Sequence, residues 1–325
     1  MPAVLVTRGV PERVRRHLAG RCRLEVWEGE GVMPRGELLE RVAGKDGLLS
    51  MLTDRVDADL LERAGPRLRV VANFAVGHDN LDLAACTARG VLATNTPDVV
   101  TEATADLAWA LLLAAARRVA EGDRFLRGRR PWIWGPEFFL GFEVHGKTLG
   151  VVGLGRIGRA VARRAAGFAM PVLYTARRRL PPDEEAALGV AWRELDELLS
   201  EADFVSIHTG LSPATRHLIG PAQLARMKPT AVLVNTARGP IVDEAALAAA
   251  LAAGRPGAAG LDVFEREPEV DPGLLGLDNV TILPHLGTAT VETRVAMGMA
   301  AAANLLAALE GRRPPNLLNP EALGA

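Results

Sequence analysis

Short apolar runs of strand character alternate with helical stretches along nearly the whole chain, and this alternation restricts the fold more than any other feature. Val4-Leu5-Val6, Gly47-Leu48-Leu49, Arg69-Val70-Val71 and Val91-Leu92-Ala93 form a first series. Residues 148–152 open a second, which continues through Val172-Leu173-Tyr174, Phe204-Val205-Ser206-Ile207, Val232-Leu233-Val234 and residues 280–283. Strands separated by helices pair in parallel, because a parallel neighbour requires a long crossover. At 325 residues the chain exceeds what one hydrophobic core holds comfortably. The expected fold class is α/β with two Rossmann-like doubly wound domains.

Between the two series, residues 101–118 read as a long apolar helix. Thr101 is its candidate cap, Glu102 lies in its first turn, and Arg117-Arg118 lie in its last. Its low polarity implies burial. Residues 291–309 form an alanine-rich tail helix that is expected to pack on the first domain. Proline and glycine near Pro97 and again at 284–287 mark the crossings. A substrate domain made of 1–98 and 288–325 is therefore expected, interrupted by a nucleotide-binding domain at 99–287.

Composition narrows the function classes. The hydrophobic fraction of 49% and charged fraction of 24% fit a globular protein, and the net charge of −1 argues against a nucleic-acid-binding surface. Cys22 and Cys86 provide neither a disulfide framework nor a set of metal ligands, so buried thiols in a reducing compartment are expected. The N-terminus lacks an export signal, and no segment is long and apolar enough to span a bilayer. A cytoplasmic protein with neither a metal nor a membrane partner is the expectation.

Gly153-Leu154-Gly155-Arg156-Ile157-Gly158 follows one of the strand-like runs and opens a helix-like one. In that setting the first glycine permits a tight turn, the second lets backbone approach a pyrophosphate, and the third allows close helix packing. The helix N-terminus then offers unpaired N–H groups to the phosphates. The end of the next strand reads Tyr174-Thr175-Ala176-Arg177-Arg178-Arg179. NAD-binding chains place an acid there for the ribose hydroxyls, whereas arginines suit the 2′-phosphate of NADP. NADP(H) is the expected cofactor, with NAD(H) as the second choice.

Further along, polar groups follow apolar strands in Val234-Asn235-Thr236-Ala237-Arg238-Gly239, in the run from Gly260 through Asp262 to Glu267-Pro268, and in Leu283-Pro284-His285-Leu286-Gly287. Ligands of open α/β sheets bind outside the C-terminal strand ends, where Arg238, Asp262, Glu267 and His285 would converge. Taken singly, each has a plain alternative: a strand-end ion pair for Arg238, a solvated loop acid for Glu267, a buried structural histidine for His285.

Together with the glycine turn, these segments closely resemble the D-isomer-specific 2-hydroxyacid dehydrogenases, and among them the glyoxylate/hydroxypyruvate reductase branch. The likeness runs nearly end to end. It takes in the run from Asn73 through Ala75-Val76-Gly77 to Asn80-Leu81-Asp82, then Thr96-Pro97-Asp98-Val99-Val100-Thr101, then Thr104-Ala105-Asp106. It implies that Arg238 binds the substrate carboxylate and keto oxygen, that His285 is the general acid, and that Glu267 is its partner. The chemistry agrees: hydride addition builds charge on the carbonyl oxygen, which calls for a fixed cation and a proton donor that works near neutral pH. Glu267 is preferred over Glu265 and Glu269 because it directly precedes Pro268.

The same resemblance assigns the backbone at Ala75, Val76 and Gly77 to the substrate carboxylate and Leu52 to an apolar wall of the substrate pocket. It assigns Thr104, Thr236, Ala237, Asp262 and Gly287 to the cofactor, beside the 153–158 turn and Arg177 and Arg178. Leu211 and Thr215 join this set on the adenosine side, although the run His208-Thr209-Gly210-Leu211 differs from the proline-containing version common in related chains. Phe138 and Phe139 fall in a stretch that reaches the neighbouring subunit in a homodimer. A glutamate at 267 rather than glutamine argues against formate dehydrogenase relatives, and the chain has no added regulatory domain after its last helix. The implied reaction is reduction of a small 2-keto acid, glyoxylate or hydroxypyruvate, to a D-2-hydroxy acid. Two rivals share the motifs: another NAD-dependent D-hydroxyacid dehydrogenase, and a dinucleotide-sensing binding protein of the corepressor kind.

Overall fold

The structure is a computed structural model that describes residues 1–324. It divides into two compact units, one formed by Met1–Val100 together with the chain from Thr288 onward, the other by Thr101–Gly287.

In the first unit, strands β1 (Ala3–Val6), β2 (Arg23–Val26), β3 (Gly47–Ser50), β4 (Val70–Asn73) and β5 (Leu92–Thr94) form one sheet in the order β2-β1-β3-β4-β5. All its pairings are parallel. β1, β3 and β4 are buried along their whole length, which is why they read as continuous apolar runs. β2 lies at the edge, alternates Arg23, Leu24, Glu25, Val26, and escapes the apolar signal. The tail helix Val291–Leu309 packs on β3 and β4, with Thr290 capping the Thr293 N–H at 3.1 Å.

The second unit carries β6 (Leu149–Val152), β7 (Val172–Thr175), β8 (Val190–Trp192), β9 (Phe204–Ile207), β10 (Val232–Asn235), β11 (Ala258–Leu261) and β12 (Val280–Ile282). Their order is β12-β11-β10-β9-β6-β7-β8, parallel throughout. Strand order reverses between β6 and β9, which is the switch point at which doubly wound sheets open their ligand crevice. β8, short and at the edge, is the other strand that apolar runs do not announce.

The apolar helix spans Thr101–Ala116 and packs on β10, β11 and the helix Arg156–Ala165. Its buried Trp109 donates to the Val161 carbonyl at 3.1 Å and stacks on Phe168. It is shorter than expected. The Ala116 carbonyl accepts from the Phe142 N–H at 2.8 Å, while Arg118 adopts a left-handed conformation and pairs with Glu121 at 2.7 Å. Arg117-Arg118 therefore form a break before the next helix, Val119–Arg127, instead of a last turn. No helix among the described residues is long and apolar enough to cross a membrane.

Candidate active site

The glycine turn joins β6 to the helix Arg156–Ala165, and each of its glycines answers a different steric demand. Gly153 has φ +95°, and a methyl there would lie 2.6 Å from the Thr209 nitrogen and 2.8 Å from the His208 carbonyl oxygen. At Gly158 a methyl would lie 2.1 Å from the Gly153 carbonyl oxygen, so the helix can approach the turn only without a side chain. At Gly155, the N-cap, a methyl would meet nothing within 4 Å. That open face borders the first turn of the helix, where N–H groups without helical acceptors attract anions. Leu154 is buried and Ile157 half-buried beneath the turn, and Arg156 is exposed beside it.

Past β7, Arg177 and Arg178 are exposed, and no carboxylate among the described residues lies within ion-pair distance of either. Arg179 differs from them. It bonds Glu185 at 2.8 and 3.0 Å, and the same carboxylate accepts the Tyr174 hydroxyl at 2.8 Å. The arginine and the phenol hold the Glu185 carboxyl below the usual carboxylate range. A carboxylate thus does come to the end of β7 from a distant position, but it is already bound by its neighbours.

His285, in a left-handed conformation after β12, places Nδ1 2.7 Å from Glu267 Oε2. Their side chains are 27% and 30% exposed, so the pair is reachable yet well removed from bulk water. Burial alone would push the Glu267 carboxyl up. The hydrogen bond and charge of His285, the Phe264 N–H at 3.1 Å and the charge of Arg238 outweigh it and hold the carboxyl below its ordinary value. The left-handed turn at His285 is supported from beneath by Asp262, which is wholly buried after β11. Its carbonyl accepts the His285 N–H at 2.9 Å, and its carboxylate accepts those of Leu286 and Gly287 at 2.6 and 2.8 Å. Burial pushes the Asp262 carboxyl upward against those contacts.

Arg238 follows β10. Its carbonyl accepts Asn235 Nδ2 at 2.9 Å, Asn235 Oδ1 accepts the Ala237 N–H at 3.0 Å, and Arg238 Nη1 donates to the Ala237 carbonyl at 2.8 Å. The adjacent Gly239 is packed onto the Phe264–Glu265 peptide so tightly that a methyl would lie 1.9 Å from the Phe264 carbonyl carbon. This contact ties the arginine turn to the loop that carries Glu267. Asn235 is a site residue with no role in the sequence reading; an asparagine closing an apolar strand was its only signal.

Among the other expected cofactor contacts, Thr236 is buried and its hydroxyl oxygen has no hydrogen-bond partner. An orphaned hydroxyl at a strand end of the same sheet as the glycine turn is a feature that a bound dinucleotide would satisfy. Buried Thr104 and Gly287 are neighbours, and Ala237 is half-buried. Thr215 closes a turn by donating to the Gly210 carbonyl at 2.8 Å, and half-buried Leu211 packs against the core of the sheet. His208, beside the turn, meets Ser206 Oγ at 2.7 Å, and burial pushes it down to about 3, so it remains neutral.

In the first unit, the loop after β4 turns its carbonyls into the protein. Those of Ala75, Val76 and Gly77 accept from the Thr96 N–H at 2.9 Å, Asn95 Nδ2 at 2.8 Å and Asn73 Nδ2 at 2.9 Å. The N–H groups of these three residues donate to no acceptor among the described residues. Asn80 spans this loop and the one after β3 that carries half-buried Leu52, donating to the Met51 and Asp54 carbonyls at 3.1 and 2.9 Å. A run of N–H groups without acceptors beside paired carbonyls is an arrangement that can take an anion. Asn73 and Asn80 belong to the stretch that carries the family likeness; Asn95 directly precedes another.

The segment 119–140 holds a different kind of feature. Phe125, Phe138 and Phe139 cluster, Trp132 stacks on Phe138, and Arg118 lies over the Phe139 ring. Around them Ile133 and Trp134 are 87% and 76% exposed, with Val119, Leu126, Trp132 and Leu140 more than half exposed.

Comparison with known proteins agrees with this geometry. The family model described as D-isomer specific 2-hydroxyacid dehydrogenase, NAD binding domain, matches residues 109–287. A glyoxylate reductase of Pyrococcus furiosus is 49% identical over 99% of this chain and 96% of its own length. A solved Thermus thermophilus structure superposes with a TM-score of 0.91 at 47% identity, covering 97% of this chain and 99% of that one. An NADPH-dependent glyoxylate/hydroxypyruvate reductase of Sinorhizobium meliloti, solved with NADP and malonate, gives a TM-score of 0.85 at 32% identity over 99% and 97%.

Proposed function

The chain belongs to the D-isomer specific 2-hydroxyacid dehydrogenase family, and from that premise we propose that it is a glyoxylate/hydroxypyruvate reductase that prefers NADPH. It is a nicotinamide-dinucleotide-dependent dehydrogenase, and the identity with glyoxylate reductases over the whole chain supports a small 2-keto acid as substrate. The observation that carries the reading is the His285–Glu267 contact at 2.7 Å, close enough to Arg238 for the guanidinium charge to act on Glu267.

When bound, the nicotinamide supplies the hydride that adds to the C2 carbonyl carbon. The residues of the chain do the rest. Arg238 offers a forked, permanently charged partner to the substrate carboxylate and keto oxygen. By the family likeness, the backbone N–H groups at Ala75, Val76 and Gly77 hold the carboxylate, and Leu52 sets an apolar wall. As charge builds on the keto oxygen, His285 delivers a proton from Nε2, because Nδ1 is engaged by Glu267. Glu267 fixes the orientation of the ring through Nδ1. The product is a D-2-hydroxy acid, the hand being that of the family.

Support for NADPH comes from Arg177 and Arg178, exposed and without carboxylate partners, and from the NADPH-dependent relative. The open face at Gly155 and the orphaned Thr236 hydroxyl fit a dinucleotide laid along the strand ends. The exposed apolar side chains of 119–140 support a homodimer built through that segment, since a patch of this kind marks an interface. The unpaired, buried Cys22 and Cys86 suit the cytoplasm.

Initial rates of NADPH and NADH oxidation with glyoxylate, hydroxypyruvate and pyruvate test the proposal. Rapid NADPH turnover with the first two is expected. Tight NADPH binding with no turnover on any keto acid would instead point to a dinucleotide-sensing binding protein.

A further inference from the structure

One side chain holds both ends of the loop that carries Glu267. Glu244 is the first residue of the helix Glu244–Ala252. Its Oε2 accepts the Glu265 N–H at 2.6 Å, and its Oε1 accepts the Asp271 N–H at 2.7 Å. In return the Glu244 N–H donates to Glu265 Oε1 at 3.1 Å, and the same oxygen meets His217 Nε2 at 2.8 Å. Between the two fixed points the chain turns on itself, the Glu269 N–H donating to the Arg266 carbonyl at 2.9 Å. Glu267 sits on that turn.

The ordinary task of an acid in a first helical turn is to complement the helix dipole. Here that end is already capped by Asp243, which accepts the Ala246 N–H at 2.9 Å. Both oxygens of Glu244 go instead to a segment more than twenty residues away in sequence. The arrangement also brings two carboxylates together, which is unfavourable unless donors offset it; the backbone N–H groups and His217 are those donors. No group of three or more His, Cys, Asp or Glu side chains among the described residues is arranged to hold a metal ion.

We propose that Glu244 is a positioning residue for proton transfer: by spanning positions 265 and 271 it keeps the Glu267 carboxylate aimed at His285 Nδ1. The inference rests on His285 and Glu267 being the proton-transfer pair. Glu265, two residues from Glu267, acts with Glu244 in the same role and does not touch the reacting atoms.

The test is Glu244→Gln, which keeps side-chain size and one acceptor oxygen but sets an amide NH2 against the second backbone N–H, freeing one end of the loop. With NADPH and glyoxylate, kcat is expected to fall about ten- to a hundredfold, in line with small misplacements at reacting centres. The dissociation constant for NADPH stays at the parent value. The alkaline limb of the pH–rate profile moves to lower pH by about half a unit or more, a change that general loosening of the fold would not produce. Combined with Glu267→Gln, the limb moves no further than in Glu267→Gln alone, because both substitutions act through one contact. Glu265→Ala, which removes the oxygen that accepts the Glu244 N–H and meets His217, loosens the staple from the other side, shifts the limb in the same direction and serves should Glu244→Gln not fold. A parent-like profile in both single variants, or additive shifts in the double variant, overturns the inference. A parent-like profile in Glu267→Gln itself overturns the assignment of the catalytic pair, and this inference with it.

Discussion

Adding one methyl group at Gly239 tests whether the arginine turn and the glutamate loop are a single mechanical unit. In Gly239→Ala the new carbon would lie 1.9 Å from the Phe264 carbonyl carbon, 2.0 Å from its oxygen and 2.5 Å from the Glu265 nitrogen. An ordinary contact between carbons is about 3.5 Å, so one segment must retreat by roughly 1.5 Å. Neither side is loose. Asn235 grips the turn at the Arg238 carbonyl, and Glu244 grips the Glu265 N–H. Overpacking against such neighbours costs about 1–3 kcal/mol, and each kcal/mol lowers Tm by about 2–4 °C for a domain of this size. The catalytic loss is expected to be larger in effect. A misplacement of about 1 Å lowers turnover roughly 10²-fold, which is about 2.7 kcal/mol of barrier. Steady-state NADPH oxidation, thermal unfolding and a fluorescence titration with NADPH separate the two. kcat and Tm should both fall, and NADPH affinity should fall much less than kcat, since Thr236 and Ala237 border the substitution but the turn at Gly153 to Gly158 lies elsewhere on the sheet. A folded variant with parent turnover would refute the claim that Arg238 and Glu267 are locked together through this peptide.

His285→Ala should lower kcat by roughly 10²- to 10⁴-fold with NADPH binding intact; near-normal turnover removes His285 from the mechanism. Glu267→Gln removes the negative charge that favours a protonated His285, so the alkaline limb of keto-acid reduction should move to lower pH, and an unmoved limb would show that Glu267 is not the partner. On the acid side the sign is opposite. The Glu267 carboxyl is held below its ordinary value, so the stability contributed by the pair is present above the ordinary carboxylate range and is lost as pH falls through the lowered value, which urea unfolding across that range would measure. Replacing Arg177 and Arg178 together with alanine should raise the KM for NADPH about tenfold or more, with little change for NADH, given the worth of charge-assisted hydrogen bonds. Equal changes for both cofactors would dismiss the 2′-phosphate assignment.

How much of this was legible in the sequence depends on where each element lies in its sheet. β1, β3, β4 and β6 are covered on both faces and spell continuous apolar runs, so their number and parallel pairing follow from composition and spacing. β2 lies at a sheet edge and its mixed residues Arg23, Leu24, Glu25 and Val26 resemble loop, whereas β8, at the other sheet's edge, is apolar but only three residues long. The end of the helix Thr101–Ala116 was missed for another reason. Arg117-Arg118 look like a favourable basic last turn, but the terminating groups are the Phe142 N–H, from a later segment, and Glu121, which draws Arg118 into the following helix.

At the site, the sequence identifies residues able to do chemistry but not the contacts that divide the work among like residues. Arg177, Arg178 and Arg179 are equivalent as letters; Glu185, arriving from the following helix, takes Arg179 and leaves the other two exposed. Glu265 and Glu267 are separated by one residue and have the same chemistry. The backbone turns one carboxylate toward His217 and the Glu244 N–H, the other toward His285. Under the proposed mechanism, the glutamate that serves His285 and the one that steadies the loop are separated by Gly239 pressing on the peptide before them and by Glu244 holding the loop at both ends. Since neither residue carries reacting groups, neither announces itself as a site residue, and their part in the chemistry can be read only from what they hold in place.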